Sequence, residues 1–92
     1  MNKWYVVKSL DQFMKKAPKE GTVVIISSSQ KGNAYISLQC RQPLTGKVTV
    51  FEEKMDSAHK KTVLNCVKQI GEKLVKSGFE WELHVLEMEH TV

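Results

Sequence analysis

The sequence predicts an α+β domain in which two helices pack on one face of a mixed, mostly antiparallel five-stranded sheet, in the order β-α-β-β-β-α-β. Three observations lead there. Residues 63 to 75 repeat apolar side chains at helical spacing, residues 34 to 41 and 79 to 86 alternate apolar with polar ones, and turn-forming residues punctuate the chain between them. With 92 residues, about two-thirds of the unfolded chain's surface can be buried, which suits one core and a single domain spanning residues 1–92.

Trp4 to Lys8 reads as a short strand. Ser9-Leu10-Asp11-Gln12 matches a capping box, so a helix begins at Leu10. Leu10, Phe13, Met14 and Ala17 form its apolar side, and Pro18 ends it after about two turns by forcing the residue before it out of helical geometry. Lys15, Lys16 and Lys19 lie at its C-terminal end, where cations complement the helix dipole. Thr22 to Ser27 is apolar or β-branched at successive positions, as a central strand covered on both faces would be, and Ser27-Ser28-Ser29 falls where a turn is expected. After Gln30-Lys31-Gly32-Asn33, Ala34, Ile36, Leu38 and Cys40 point to the core while Tyr35, Ser37, Gln39 and Arg41 point away. Pro43-Leu44-Thr45-Gly46 turns the chain into a third strand, Lys47 to Glu53, closing an antiparallel meander.

Asp56 or Ser57 can cap a second helix that carries Val63, Leu64, Val67, Ile70, Gly71, Leu74 and Val75 on one face and stops at Gly78. Burying its six large aliphatic side chains contributes roughly 9–18 kcal/mol gross, which only a sheet beneath it can supply. Phe79, Trp81, Leu83 and Val85 then alternate with Glu80, Glu82, His84 and Leu86 as the inward side of a last strand, and the alternation breaks at Glu87. The meander, helix and final strand together have the element order of ribonuclease-H-like domains. That resemblance is topological: catalysis there rests on metal-binding carboxylates, whereas the first meander strand here ends in Ser27-Ser28, so no activity is carried over.

The N-terminal segment is too poor in apolar residues for a secretory signal, and the longest aliphatic run, Val23 to Ile26, is far short of the roughly 20 residues that span a bilayer. A cytoplasmic protein without membrane attachment is the expectation. Cys40 and Cys66 lack zinc-type or Cys-x-x-Cys spacing and are expected as reduced, half-buried thiols.

The sequence offers little to a catalytic reading. It has no Gly-x-Ser-x-Gly and no glycine-rich phosphate loop, and His59 stands alone as a general base, so a non-enzyme needing no cofactor is expected. Glu80, Glu82, His84 and His90 are the densest ligand-type group, but alternate strand residues lie about 6.6 Å apart, which argues against a metal site.

Charge is more informative. Residues 1 to 78 carry all 14 basic and 6 acidic side chains, whereas residues 79 to 92 carry four Glu and no Lys or Arg. Two binding surfaces follow. The sheet side away from the helices would display Tyr35, Gln39 and Arg41, with Lys47, Thr49 and Phe51 on the next strand, a mixture of aromatic and charged groups suited to docking another protein. A small non-catalytic interaction protein, inhibitor- or adaptor-like, that binds through this open face or a strand edge is the first reading. The second is a nucleic-acid-binding module, with Lys61, Lys68 and Lys76 along the outer side of the long helix and Tyr35 and Phe51 as stacking aromatics. A homodimer formed through a strand edge is compatible with both.

Overall fold

The computed structural model describes residues 4–30, 32–56 and 59–87. The elements are β1 (Trp4–Val6), α1 (Leu10–Lys16), β2 (Thr22–Gln30), β3 (Asn33–Arg41), β4 (Val48–Met55), α2 (Lys60–Lys76) and β5 (Glu80–Glu87). The five strands form one mixed sheet in the order β1-β4-β3-β2-β5. β3 runs antiparallel to both neighbours, while β1 pairs in parallel with β4 and β5 in parallel with β2. The two antiparallel ladders therefore form the centre and the two parallel ladders the flanks, the pairing order that a meander followed by a helix and a strand requires.

This topology explains why both helices share a side. The β1-α1-β2 and β4-α2-β5 segments each join parallel strands and each cross the sheet in the same sense, so right-handed connections place both helices on the same face. Phe13 and Ala17 of α1 accordingly share one core with Val63, Val67, Ile70 and Leu74 of α2, over Val23 and Ile25 of β2, Ile36, Leu38 and Cys40 of β3, and Phe51 of β4.

α1 begins as its cap predicts, and the Gln12 backbone N–H donates to Ser9 Oγ at 3.1 Å. The reciprocal bond reaches one residue further back than a capping box requires: the Lys8 N–H donates to Gln12 Oε1 at 2.9 Å. Ala17 is extended, as the following proline demands. α2 starts instead at His59, which gives no side-chain cap bond. The expected cap at Asp56 is therefore replaced, and Ser57 lies outside the described residues. At its other end α2 closes as expected. Gly78 adopts φ +89°, its N–H donates to the Val75 carbonyl at 3.0 Å, and the Phe79 N–H donates to the Leu74 carbonyl at 2.9 Å. This pair of bonds satisfies two carbonyls of the last turn, while buried Phe79 and Leu74 close over them.

Several expectations are corrected. Ser27, Ser28 and Ser29 are not a turn: β2 continues through them, pairing with Ile36, Tyr35 and Ala34. Their backbones complete the ladder and Ser27 is buried. β2 is also covered on one side only, because Val24 and Ile26 are half-buried on the side away from the helices. On α2, Leu64 is 41% exposed and Val75 60% exposed. The two sit on the flank of the buried stripe, so four aliphatic side chains and Gly71, rather than six aliphatics, face the sheet. Val85, expected inward on β5, is exposed: β5 is an edge strand, and Val85 lines an open concavity with Lys60, Val63 and Leu64 at the start of α2.

Candidate functional site

The side of the sheet opposite the helices is covered by no helix or strand among the described residues, and register fixes what it presents. One row across the sheet holds Val6, Val50, Gln39, Val24 and Glu82. The row above holds Trp4, Val48 and Arg41. Below lie Glu52, Ser37, Ile26 and His84, and then Lys54, Tyr35, Ser28 and Leu86. Of the residues expected on this surface, Tyr35, Gln39 and Arg41 are there, with Tyr35 and Arg41 exposed.

Lys47, Thr49 and Phe51 are not on it. Phe51 is 8% exposed and pairs with Leu38 on the helix-covered side, and Thr49 is 3% exposed beside Cys40. The loop sets this register. The Gln42 N–H donates to the Lys47 carbonyl at 2.7 Å, and the Gly46 N–H donates to the Gln42 carbonyl at 2.8 Å, so Arg41 faces Val48 and every odd-numbered residue of β4 points the way Leu38 does. The alternative register would bury Val48 and Val50 under the helices at the cost of exposing a phenyl ring, the larger apolar surface. Lys47 sits over Tyr5 instead, with Nζ 5.0 Å from the ring centroid, a cation–π contact on the helix side of the β1 edge.

Trp4 and Val6 take the places that Lys47 and Phe51 were expected to fill. They are 52% and 64% exposed and share the open side with Val48 and Val50. Their signal in the sequence is the alternation of Trp4 and Val6 with Tyr5 and Val7, of which Val7 is buried. Trp4, Arg41 and Thr22 rim a shallow concavity of about 300 Å³ floored by Val24, Gln39 and Val48. An indole and a guanidinium flank a floor of two valines and the Gln39 amide there, so the site can take an apolar side chain together with an acceptor group. On the far side of β2, Glu80 and Glu82 make the β5 end of the surface acidic, and His84 Nε2 lies 3.2 Å from Glu82 Oε1.

The lysines of the second surface are all exposed on α2. Lys68 and Lys76 line a cleft of about 480 Å³ with Gly71, Glu72, Val75 and Trp81, whereas Lys61 lies nearer the other end of the helix.

Both cysteines are free thiols, but they are not equally placed. Cys40 is fully buried, its Sγ donating to the Pro18 carbonyl at 3.2 Å. Burial, reinforced by the Glu20 carboxylate, pushes its pKa up to about 11. Cys66 is half-buried, and burial followed by the nearby Glu53 carboxylate also pushes its thiol up. Neither environment favours a nucleophilic thiolate. Among the described residues no group of three or more His, Cys, Asp and Glu side chains converges as a metal site would require, and His90 lies outside them. No helix is long and apolar enough to cross a membrane. Comparison of the chain with protein-family models, with curated proteins and with solved structures finds no match.

Proposed function

We propose that this protein is a small non-catalytic interaction protein, inhibitor- or adaptor-like, that docks another protein on the open side of its sheet. The observation that carries this reading is the Trp4–Arg41 end of that surface. Two exposed residues of types enriched at interface hot spots flank a floor of Val24 and Val48 with the Gln39 amide between them. Arg41 ends the central strand β3 and Trp4 is paired with Val48 of β4, so both side chains stand on strands formed before docking. A partner segment that places an apolar side chain against Val24 and Val48 and a carboxylate at Arg41 satisfies the site. The raised-pKa thiols, Cys40 buried and Cys66 half-buried, speak against a cysteine nucleophile and in that respect support the non-catalytic part of the reading.

The test is affinity capture from the native host with nuclease treatment, run in parallel on the native chain and on Trp4→Ala with Arg41→Glu. A protein retained by the native chain and lost from the doubly substituted one is expected. A partner held equally well by both chains, or retention that vanishes with nuclease, overturns the assignment.

A second reading is favoured by the cleft beside α2, where Lys68 and Lys76 stand next to the partly exposed Trp81 ring. Ammonium groups beside an aromatic face suit single-stranded nucleic acid. Changing Lys61, Lys68 and Lys76 together to Glu should then abolish a steeply salt-dependent retention of oligonucleotides, and no retention by the native chain at low salt excludes it.

A further inference from the structure

We infer that the concavity beside the first turn of α2 is a binding site for a phosphate group, free or carried on a small ester. This goes beyond the reading above, because the site lies on the helix side of the sheet, at the end away from Trp4 and Arg41. A space of about 210 Å³ opens there between Ser27 and Ser29 of β2, Val85 of β5, and Lys60 and Leu64 of α2.

Two independent features point to an anion. The first is the start of the helix. α2 has no side-chain cap, no acidic residue in its first turn, and two lysines, Lys60 and Lys61, at its opening positions. Its first helical bond runs from the Val63 N–H to the His59 carbonyl at 3.0 Å, so the N–H groups of Lys60, Lys61 and Thr62 have no acceptor within the helix. The positive end of the helix dipole lies there too. The two lysines add like charge to it, and an anion offsets both. The second feature is Ser27, which is 8% exposed on the helix side of β2, opposite Val85. Buried hydroxyls are ordinarily paired. Among the described residues the Ser27 hydroxyl has no hydrogen-bond partner, and it reaches the concavity instead. Half-buried Ser29, two residues on, brings a second hydroxyl to the same wall.

The donors select the ligand. Two hydroxyls come from the strand, and an ammonium group and free N–H groups from the helix. A tetrahedral ion with at least three acceptor oxygens satisfies that spread better than a planar carboxylate does. Exposed Leu64 and Val85 give the site an apolar border against which an ester group can lie. Two carboxylates share this side of the sheet, but neither lines the space. Glu53 accepts from the Cys66 thiol at 3.8 Å, and Glu87 lies opposite Ser29 at the end of β5.

Calorimetric titration of the native chain with inorganic phosphate and with phenyl phosphate, in chloride buffer of constant ionic strength, tests this. Saturable one-to-one binding is expected. Equal affinity for the two probes assigns the site to the free ion, and tighter phenyl phosphate assigns it to an ester. Lys60→Glu should weaken binding about tenfold or more, and Ser27→Ala about fivefold or more. Without phosphate, neither change should lower the thermal midpoint, because glutamate suits a helix start and the Ser27 hydroxyl has no partner to lose. Lys73→Glu makes the same change of charge roughly 20 Å further along α2 and should leave binding unchanged. No saturable binding of either probe by about 10 mM overturns the inference. So does Lys73→Glu weakening binding as much as Lys60→Glu, or Ser27→Ala, folded, binding as the native chain does. None of these results bears on capture by the Trp4–Arg41 surface, on the opposite side of the sheet.

Discussion

Gly71 shows how one position can govern the placement of an edge strand. It sits in the middle of α2, where glycine costs about 1 kcal/mol relative to alanine, yet the Trp81 indole lies directly over it, and a methyl group there would collide with ring atoms Cζ2 and Cε2. Gly71→Ala should therefore lower stability by about 1–3 kcal/mol despite its better helix propensity, measured as a shift in the denaturant midpoint. Trp81→Leu combined with Gly71→Ala should recover part of that loss. Cys40 offers a second test at this scale. Its pKa in the folded protein, about 11, lies above its ordinary value of 9.0, so the folded state holds the proton more tightly. The resulting stabilisation is complete below pH 9 and is lost as pH rises through 11. The fall in thermal midpoint across that interval should be shallower in Cys40→Ala, even though the variant is less stable at neutral pH.

Among the elements, α2 divides the apolar residues that the sequence places together. Leu74 is fully buried, and Leu74→Ala should cost about 2–5 kcal/mol. Leu64→Ala, on the exposed flank of the same helix, should cost less than about 1 kcal/mol by the same unfolding measurement. Helical periodicity located the stripe but not its width, because it does not say how far the neighbouring strand extends beneath the helix. The limits of α1 and the end of α2 were legible because Ser9, Pro18 and Gly78 act within one turn of chain. The faces of β3 were legible from alternation alone, whereas β4 was not, since Val48, Val50, Thr49 and Phe51 place apolar groups on both sides. What decides β4 is the bonded loop between Gln42 and Lys47, a geometric fact with no signature in the strand itself. The same register misplaced Lys47 and Phe51 in the docking surface and left out Trp4, whose face the alternation with Val7 signals but whose neighbours only the pairing with β4 supplies.

For the molecule as a whole, the sheet order makes stability uneven. β2 and β3 are paired on both sides and carry Val23, Ile25, Ile36 and Leu38, all fully buried, while β1 is held on one side by three paired positions. Amide exchange should be slowest for the β2–β3 ladder and fastest among the strands for β1, with Val7, whose N–H donates to the Val50 carbonyl at 2.8 Å, slower than Trp4 to Val6. Equal protection across all five strands would contradict that ranking.

The outermost strands β1 and β5 point the same way, since each is parallel to an inner strand and β3 alone is reversed. Tension applied between the start of β1 and the end of β5 therefore runs lengthwise along both borders of the sheet. Such a load must slide each border strand past its neighbour and rupture several bonds at once, instead of peeling them one by one. The short border yields first, so a stretched molecule should release its first strand while the meander and the final strand still hold together.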